Sequence, residues 1–597
     1  MTTDLRETPP TDTTDTTAGT TTEATTDAPA GVRVVDHLAA ALAEHGVRQV
    51  FGIGGANIED LFDALDGVGG RPRTVVAKHE FSAVTMADGC ARTTGRLGVV
   101  AATSGGGAMN LLPGLAEAYA SRVPVLALVG QPPTALDGLG SFQDSSGRAG
   151  SLDAQRLFAP VSRFCARVDH PDALPRLLAE AMAAARSHPR GPAVLLLPKD
   201  VQQATSTARR PAPPVPVPEP RTPSVRLDRA AERLRAATRV LVIAGEGVAA
   251  AGAKRELADL TARLGAWVAV TPDAGDVFDN ADQHFAGVAG VMGHPNVLDC
   301  LRRAELCLLV GTRLPVLARG GLEPALAETP VICIDPEPPF VPSVPGLHLS
   351  GGLRDTLRRL ASRLAAADRP APGHAGPVPL AAPPPGAGGL SHAAAVAAVA
   401  DALPPDAHVF VDAGNTGASA IHRLRATRHG RFVVAVGMGG MGYAFGAGIG
   451  AALATGKRTY VLAGDGAFFM HGMEVHTALE YGAPVTFVIL NNNAHAMCAT
   501  REQLFLGAPN PANLFLPSDI AAGVAGLFPT LAVSRATTGP QLRQALLRGN
   551  ATSGPVLVAA DVDPAEIPPF LPFLTAAGPV PADHEETVHE RCAVHAG

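Results

Sequence analysis

The sequence predicts an α/β protein of three doubly wound parallel-sheet domains in series, and three observations carry that expectation. With 597 residues, 46% of them hydrophobic, the chain is long and apolar enough for several separate cores. Two Pro-rich stretches, at about 209–224 and 369–389, can hold neither a regular helix nor a central strand and cut the chain into thirds. Each third alternates short β-branched runs with Ala/Leu-rich amphipathic segments, the pattern of repeated βαβ units. The expected layout is a disordered tail over 1–30, domains over 31–204, 225–366 and 390–575, and a second tail over 576–597.

The elements follow in chain order. Residues 1–30 are rich in Thr, Asp and Pro and lack the basic start and apolar stretch of a secretory signal. Strands are expected in the first domain at 49–52, 99–102, 123–129 and 193–197, with helices between them. The middle domain reads as strands at 239–244, 267–270, 306–310 and 331–334, the last running into Asp335, a pattern similar to a nucleotide-binding fold. In the last domain the strands fall at 408–411, 459–463, 485–490 and 556–560. Residues capable of chemistry follow three of these directly, and parallel sheets bind ligands beyond the carboxyl ends of their strands.

Composition narrows the partner. A formal net charge of -7 offers no basic field for nucleic acid or an anionic membrane. Seven scattered cysteines with no Cys-x-x-Cys pair argue against a disulfide framework or a structural zinc site and fit a reducing cytoplasm. Apolar runs such as 123–129 are too short to span a bilayer. A small-molecule substrate is expected.

The strongest motif is split between two neighbouring loops. Gly464-Asp465-Gly466-Ala467 opens a helix after one strand, and Asn491-Asn492-Asn493 follows the next. Taken alone, each is a turn-forming sequence. Together they supply hard oxygen ligands for a divalent ion: the Asp465 carboxylate, the Asn492 amide oxygen and the Ala494 carbonyl, with positions left for phosphate oxygens and water. The flanking glycines let the backbone approach phosphates closely, and the helix start favours anionic charge.

This spacing resembles the diphosphate–metal motif of thiamine-diphosphate (ThDP) enzymes. The first domain carries matching companions: Lys78-His79-Glu80, Met86-Ala87-Asp88-Gly89-Cys90-Ala91-Arg92, Thr103 to Asn110, Gly130-Gln131-Pro132-Pro133 and Gly140-Ser141-Phe142-Gln143-Asp144. With Gly439-Gly440-Met441-Gly442 in the last domain, they resemble the acetolactate synthase family from about Val34 to Leu574. The resemblance implies a pyrimidine-binding, a central and a diphosphate-binding domain, with ThDP and Mg²⁺ as cofactors. It makes Glu80 the partner of the pyrimidine ring nitrogen, Met441 the wedge that bends the cofactor, and the Gly439 carbonyl the acceptor for its 4′-amino group. Gly414, Asn415 and Thr416 would reach the diphosphate together with Gly464, Asp465, Gly466, Ala467 and the segment Asn492, Ala494, His495, Ala496 and Met497. Gln143 would orient the substrate. His476 and His495 are candidate proton relays.

The implied activity is decarboxylation of a 2-keto acid, pyruvate first, and transfer of an acyl-anion equivalent to a second carbonyl. Simple decarboxylation is the alternative, against which stands the absence of a His-His pair after Gly130. Because the cofactor halves bind different domains, the resemblance implies a homodimer or a dimer of dimers. Several residues depart from the family: Gly106 for proline, Asp144 for glutamate, Ala444 and Gly446 in the step after Met441, and Arg501 in place of a pocket-shaping tryptophan. Arg501 is expected to grip a polar or anionic acceptor through its planar fork. FAD in the middle domain stays open: Gly311-Thr312-Arg313 and Asp335 match part of the pattern, but Val291-Met292 replaces a Met-His step.

Overall fold

The computed structural model describes residues 31–66, 72–207, 219–341, 346–365, 373, 376–381, 389–426 and 429–577. The expected tail over 1–30 and nearly all of that over 576–597 lie outside the described residues, as do parts of both Pro-rich stretches.

Three six-stranded sheets, each wholly parallel, are flanked by helices. In the first sheet the spatial order is Arg73–Val76, Gln49–Gly52, Gly98–Ala102, Val125–Gln131, Ala193–Pro198, Phe164–Arg167. The third sheet repeats that order as Phe432–Val434, His408–Val411, Thr459–Gly464, Val485–Asn491, Val556–Asp561, Ala532–Ala536. The middle sheet runs differently, as Phe285–Val288, Trp267–Val270, Val240–Ala244, Leu306–Val310, Val331–Ile334, Leu347–Leu349. Central strands are buried on both faces, which is why they read as unbroken apolar runs. A two-residue antiparallel pair, Val32–Arg33 with Thr205–Ser206, closes the first domain.

The terminal domains are joined by two helices, Glu80–Thr94 and Tyr443–Thr455, packed backbone against backbone. A Cβ on Gly89 would lie 2.0 Å from the Ala447 carbonyl oxygen, and one on Gly450 would lie 2.0 Å from that of Met86. One on Gly446 would meet Thr85 Oγ1 at 2.1 Å, so the departure from the family at this position belongs to the helix contact. The apolar core there is continuous across both domains, from Phe81 and Val84 to Phe410, Tyr443 and Phe445.

The middle domain is held by charge. Arg431 of the last domain donates to Glu246 at 2.6 and 2.7 Å and to Asp276 at 2.9 Å, and also to the Arg92 carbonyl of the first. Arg122 of the first domain donates to both carboxylate oxygens of Asp335, at 2.9 and 3.1 Å. No helix among the described residues is long and apolar enough to cross a membrane.

Candidate active site

The site residues stand at the carboxyl ends of strands in the third sheet, where parallel topology leaves loops and helix starts converging. Asp465 begins the helix Asp465–His471 directly after its strand and is 1% exposed. One strand over, Asn491 closes Val485–Asn491, with Asn492 next. The three asparagines divide the labour. Asn491 Nδ2 donates to the Ser518 carbonyl at 3.1 Å, and Asn493 Oδ1 accepts from the Ser518 amide at 3.0 Å, so these two hold the loop. Asn492 Oδ1 is buried and has no partner among the described residues.

The Asp465 carboxylate accepts from the Ala494 amide at 3.1 Å, which ties the two loops together. Burial pushes this carboxyl up to about 6, opposed by hydrogen bonds from the amides of Gly466 and Ala494. A buried acid beside a buried, unpartnered amide oxygen suits a hard divalent cation better than any arrangement of hydrogen bonds within the chain. Among the described residues no cluster of three His, Cys, Asp or Glu could hold a metal, so any ion here depends on mixed carboxylate, amide and carbonyl oxygens.

The remaining cradle converges on the same place. Gly414 has φ +95 and precedes the helix Asn415–Arg423. Asn415 and Thr416 are each 4% exposed, and Asn415 Oδ1 is also buried without a partner. A Cβ on Gly464 would lie 3.8 Å from Thr416 Oγ1, and one on Gly466 would meet His495 Nδ1 at 3.0 Å and Met441 Cε at 3.1 Å. Gly464 thus lies against Thr416, and Gly466 against both His495 and Met441, while Ala467, Ala494 and Ala496 are buried and Met497 is half-buried. His476 does not join them: its ring faces Glu480 at 3.7 Å and packs on Phe528.

Glu80 opens the helix Glu80–Thr94, half-buried, and its carboxylate accepts from Asn110 Nδ2 at 2.9 Å. Among the described residues no hydrogen bond joins Glu80 to the third domain of its own chain. Instead its neighbours Lys78 and His79 donate their amides to Glu474 at 2.9 and 3.0 Å. Gln143 has φ +63, and its Oε1 accepts from Ser104 Oγ at 3.2 Å. Arg501 is exposed on the helix Ala496–Leu506 and has no ion-pair partner among the described residues.

Sequence reasoning missed two anchors. Asp412, 1% exposed, accepts from the amides of Gly442 and Ala444 at 3.0 Å each, and burial pushes it up to about 6. Its place directly after the strand His408–Val411 was a usable signal. The other is Glu117, the one charged residue of the helix Gly106–Ala120.

Comparison with known proteins fits this geometry. The pattern described as thiamine pyrophosphate enzyme, N-terminal TPP binding domain, matches residues 32–150, the corresponding central domain 227–360 and the C-terminal TPP binding domain 412–560. The chain belongs to the thiamine-diphosphate enzyme family. It is a divergent member of the acetolactate synthase group, 30% identical to an acetolactate synthase of Mycobacterium bovis over 78% of this chain and 76% of that one. A protein of Pseudomonas aeruginosa named probable 2-ketoarginine decarboxylase is 34% identical over 76% of this chain and 81% of its own length. In fold it is similar to a solved candidate thiamin diphosphate-dependent enzyme from Mycobacterium smegmatis, with TM-score 0.75, 22% identity, and coverage of 89% and 99% of the two chains.

Proposed function

We propose that this enzyme uses ThDP and Mg²⁺ to decarboxylate a 2-keto acid, with pyruvate the first donor to test, and joins the remaining acyl unit to a second carbonyl compound. The observation that carries this reading is the buried Asp465 carboxyl beside the unpartnered Asn492 Oδ1 on adjacent strand ends. The residues fit the ion: Asp465, Asn492 and the Ala494 carbonyl would hold Mg²⁺, and Gly414, Asn415, Thr416, Gly464, Gly466 and Ala467 would cradle the diphosphate.

When bound, ThDP supplies the electron sink that loss of CO₂ from a 2-keto acid requires. Glu80 would hold a proton at the pyrimidine nitrogen, a contribution of the general acid–base kind. Met441 would support the bound cofactor from one side by bulk alone, and the Gly439 carbonyl would accept from its amino group. Gln143, set in a strained left-handed conformation beside Ser104, presents its amide to substrate. Arg501, which has no ion-pair partner among the described residues, offers its fork to an anionic or polar acceptor.

Glu80 must come from a second copy for this to work, which makes a homodimer the minimum and a dimer of dimers its natural extension. Exposed apolar side chains around the site support that: Phe142 is 80% exposed, Met438 59% and Phe469 52%. We place the domain boundaries at 31–204, 225–366 and 390–575. The six described cysteines are free thiols, which supports a cytoplasmic setting. The middle domain fits FAD poorly, because Glu246 and Asp335 at its strand ends are already paired with Arg431 and Arg122.

The second reading, decarboxylation to an aldehyde without ligation, is favoured by the Pseudomonas aeruginosa relative, which is named as a decarboxylase. Mass spectrometry of products from pyruvate and other 2-keto acids, alone and with a panel of carbonyl acceptors, separates the two. Ligated product supports the first reading, aldehyde as the sole product the second, and no CO₂ from any donor overturns both.

A further inference from the structure

We propose that Glu117 is the positioning residue that sets the Gly439 carbonyl for the aminopyrimidine of the cofactor, an inference that rests on the ThDP reading above. Glu117 lies on the helix Gly106–Ala120 of the first domain, is 2% exposed, and reaches into the third domain of the same chain. Its Oε1 accepts from the Gly437 amide at 3.2 Å, and its Oε2 accepts from Met438 at 2.5 Å and Gly439 at 3.3 Å. Three consecutive N–H groups converging on one carboxylate form an anion nest, and each bond is charge-assisted.

The carboxylate is itself held. Ser121 Oγ donates to Oε1 at 2.8 Å, and Arg92, paired with Asp88 at 2.7 Å, stands 4.0 Å away. Gly437 has no room for a side chain, since a Cβ would lie 2.8 Å from Ala120 Cβ and 3.0 Å from Glu117 Oε1. The absence of a side chain there is therefore part of the contact.

The loop is fixed at its other end by a second buried acid, Asp412, through the amides of Gly442 and Ala444. Between these two anchors stand only Gly439, with φ +67, then Gly440 and Met441. Those are the carbonyl and the wedge assigned to the cofactor. Each planar peptide unit joins an N–H to the carbonyl of the residue before it, so Glu117 fixes the peptide planes 436–437, 437–438 and 438–439; the last ends at the Cα of Gly439, and only the φ and ψ of that residue then stand between the held plane and its carbonyl. Glu117 touches neither substrate nor reacting atoms, so its action is through the backbone of 437–439.

The proposal is tested on the full-length protein with Glu117→Ala and Glu117→Gln. In the apoprotein, amide hydrogen exchange over 436–440 is expected to accelerate at least tenfold in Glu117→Ala, while exchange around Asp412 stays within twofold. With ThDP and Mg²⁺ added, the near-ultraviolet circular dichroism of the bound cofactor should change, and kcat for CO₂ release should fall about 10- to 100-fold, since an ångström of misplacement at a reacting centre costs on that order. KM for the donor should stay within about threefold. Glu117→Gln keeps one acceptor oxygen and should fall between wild type and Glu117→Ala in all readouts. Unchanged exchange and dichroism in a folded Glu117→Gln, with a lower Tm and normal kcat in both variants, would mean a purely structural contact and overturns the proposal. Calorimetry of wild type with ThDP and Mg²⁺ is the separate control: no binding there removes the ThDP reading, and this inference with it.

Discussion

The two outer sheets and the middle sheet use the same architecture for opposite ends. All three present side chains beyond the carboxyl edges of parallel strands. In the outer domains, among the described residues, Asn492 Oδ1 and Asn415 Oδ1 are buried without partners, and the one side-chain hydrogen bond to the Glu80 carboxylate comes from Asn110. In the middle domain the equivalent positions are already satisfied, with Asp335 gripped by Arg122 and Glu246 by Arg431. A buried polar atom without a partner is costly to the free protein, so its retention points to a ligand. A buried carboxylate paired across a domain boundary points to assembly. On the proposed function, the outer sheets carry the chemistry and the middle one holds them together.

The sharpest break in that contrast lies at the loops proposed to hold the metal, around Asp465 and Asn492. Asp465→Ala should lower kcat/KM roughly 10³-fold, the scale of several kcal/mol of lost cation anchoring. The rise in Tm produced by Mg²⁺ and ThDP together in a thermal melt should vanish, while the apoprotein melts within a few degrees of wild type. A variant that kept its cofactor-dependent Tm rise would place the ion elsewhere.

Glu80→Gln is expected to be next in size. The amide keeps the shape but cannot carry the charge, and the loss should be about 10²-fold in kcat with cofactor affinity changed far less. Mixing Glu80→Gln with Asp465→Ala subunits adds a test of the assembly. If the two residues serve one cofactor from different chains, heterodimers recover one intact site and up to half of wild-type turnover. No recovery in confirmed heterodimers would show that both residues act within one chain.

How much of this was legible depends on burial. The sequence predicted four strands in each domain, and in every case they are the four central strands of the sheet. Apart from the two-residue pair Val32–Arg33 and Thr205–Ser206, the six missed strands are the edges of the three sheets: Arg73–Val76, Phe164–Arg167, Phe285–Val288, Leu347–Leu349, Phe432–Val434 and Ala532–Ala536. A central strand must be apolar on both faces, and so leaves a continuous run in the sequence. An edge strand such as Phe164–Arg167, half-buried along its whole length, carries mixed residues that do not stand out from a loop, whereas Phe285–Val288 and Phe432–Val434 are buried throughout but too short to leave a distinct run. The same limit applies to the site. Asp465 and Asn492 could be read because their neighbours in sequence are their neighbours in space. Glu117 could not, because the amides it holds lie some 320 positions later, and no local pattern marks a contact between domains.

The middle domain supplies the opposite test to the metal loop. Arg122→Ala leaves Asp335, fully buried, without its guanidinium. Breaking such a pair costs about 3 kcal/mol, the low end of the usual range because the Arg122 side chain is 22% exposed. Tm should fall by several degrees, with kcat at 25 °C within about threefold of wild type. A large loss of kcat with unchanged Tm would erase the distinction drawn between middle and outer sheets.

The smallest effect is in acid. Where the middle and last domains meet, the rings of His294 and His422 stack with centroids 4.5 Å apart. His422 Nδ1 donates to the Met292 carbonyl at 3.0 Å, and its Nε2 accepts from the Leu380 amide at 3.0 Å, a pairing only the neutral ring can make. Burial accordingly pushes His422 down to about 4 and His294 to about 3, the latter helped by its neighbouring ring. Folded-state values below the ordinary one, about 6.5, mean that the unfolded chain binds more protons in between. The contribution of the pair is therefore complete above about 6.5 and drains away as pH falls toward 4. His422→Gln, whose amide can both donate and accept, should melt slightly lower than wild type at pH 7.5 but lose less Tm between pH 6.5 and 4.5. Parallel Tm curves for the two proteins across that window would show that the stacked rings do not set the acid limit of the domain junction.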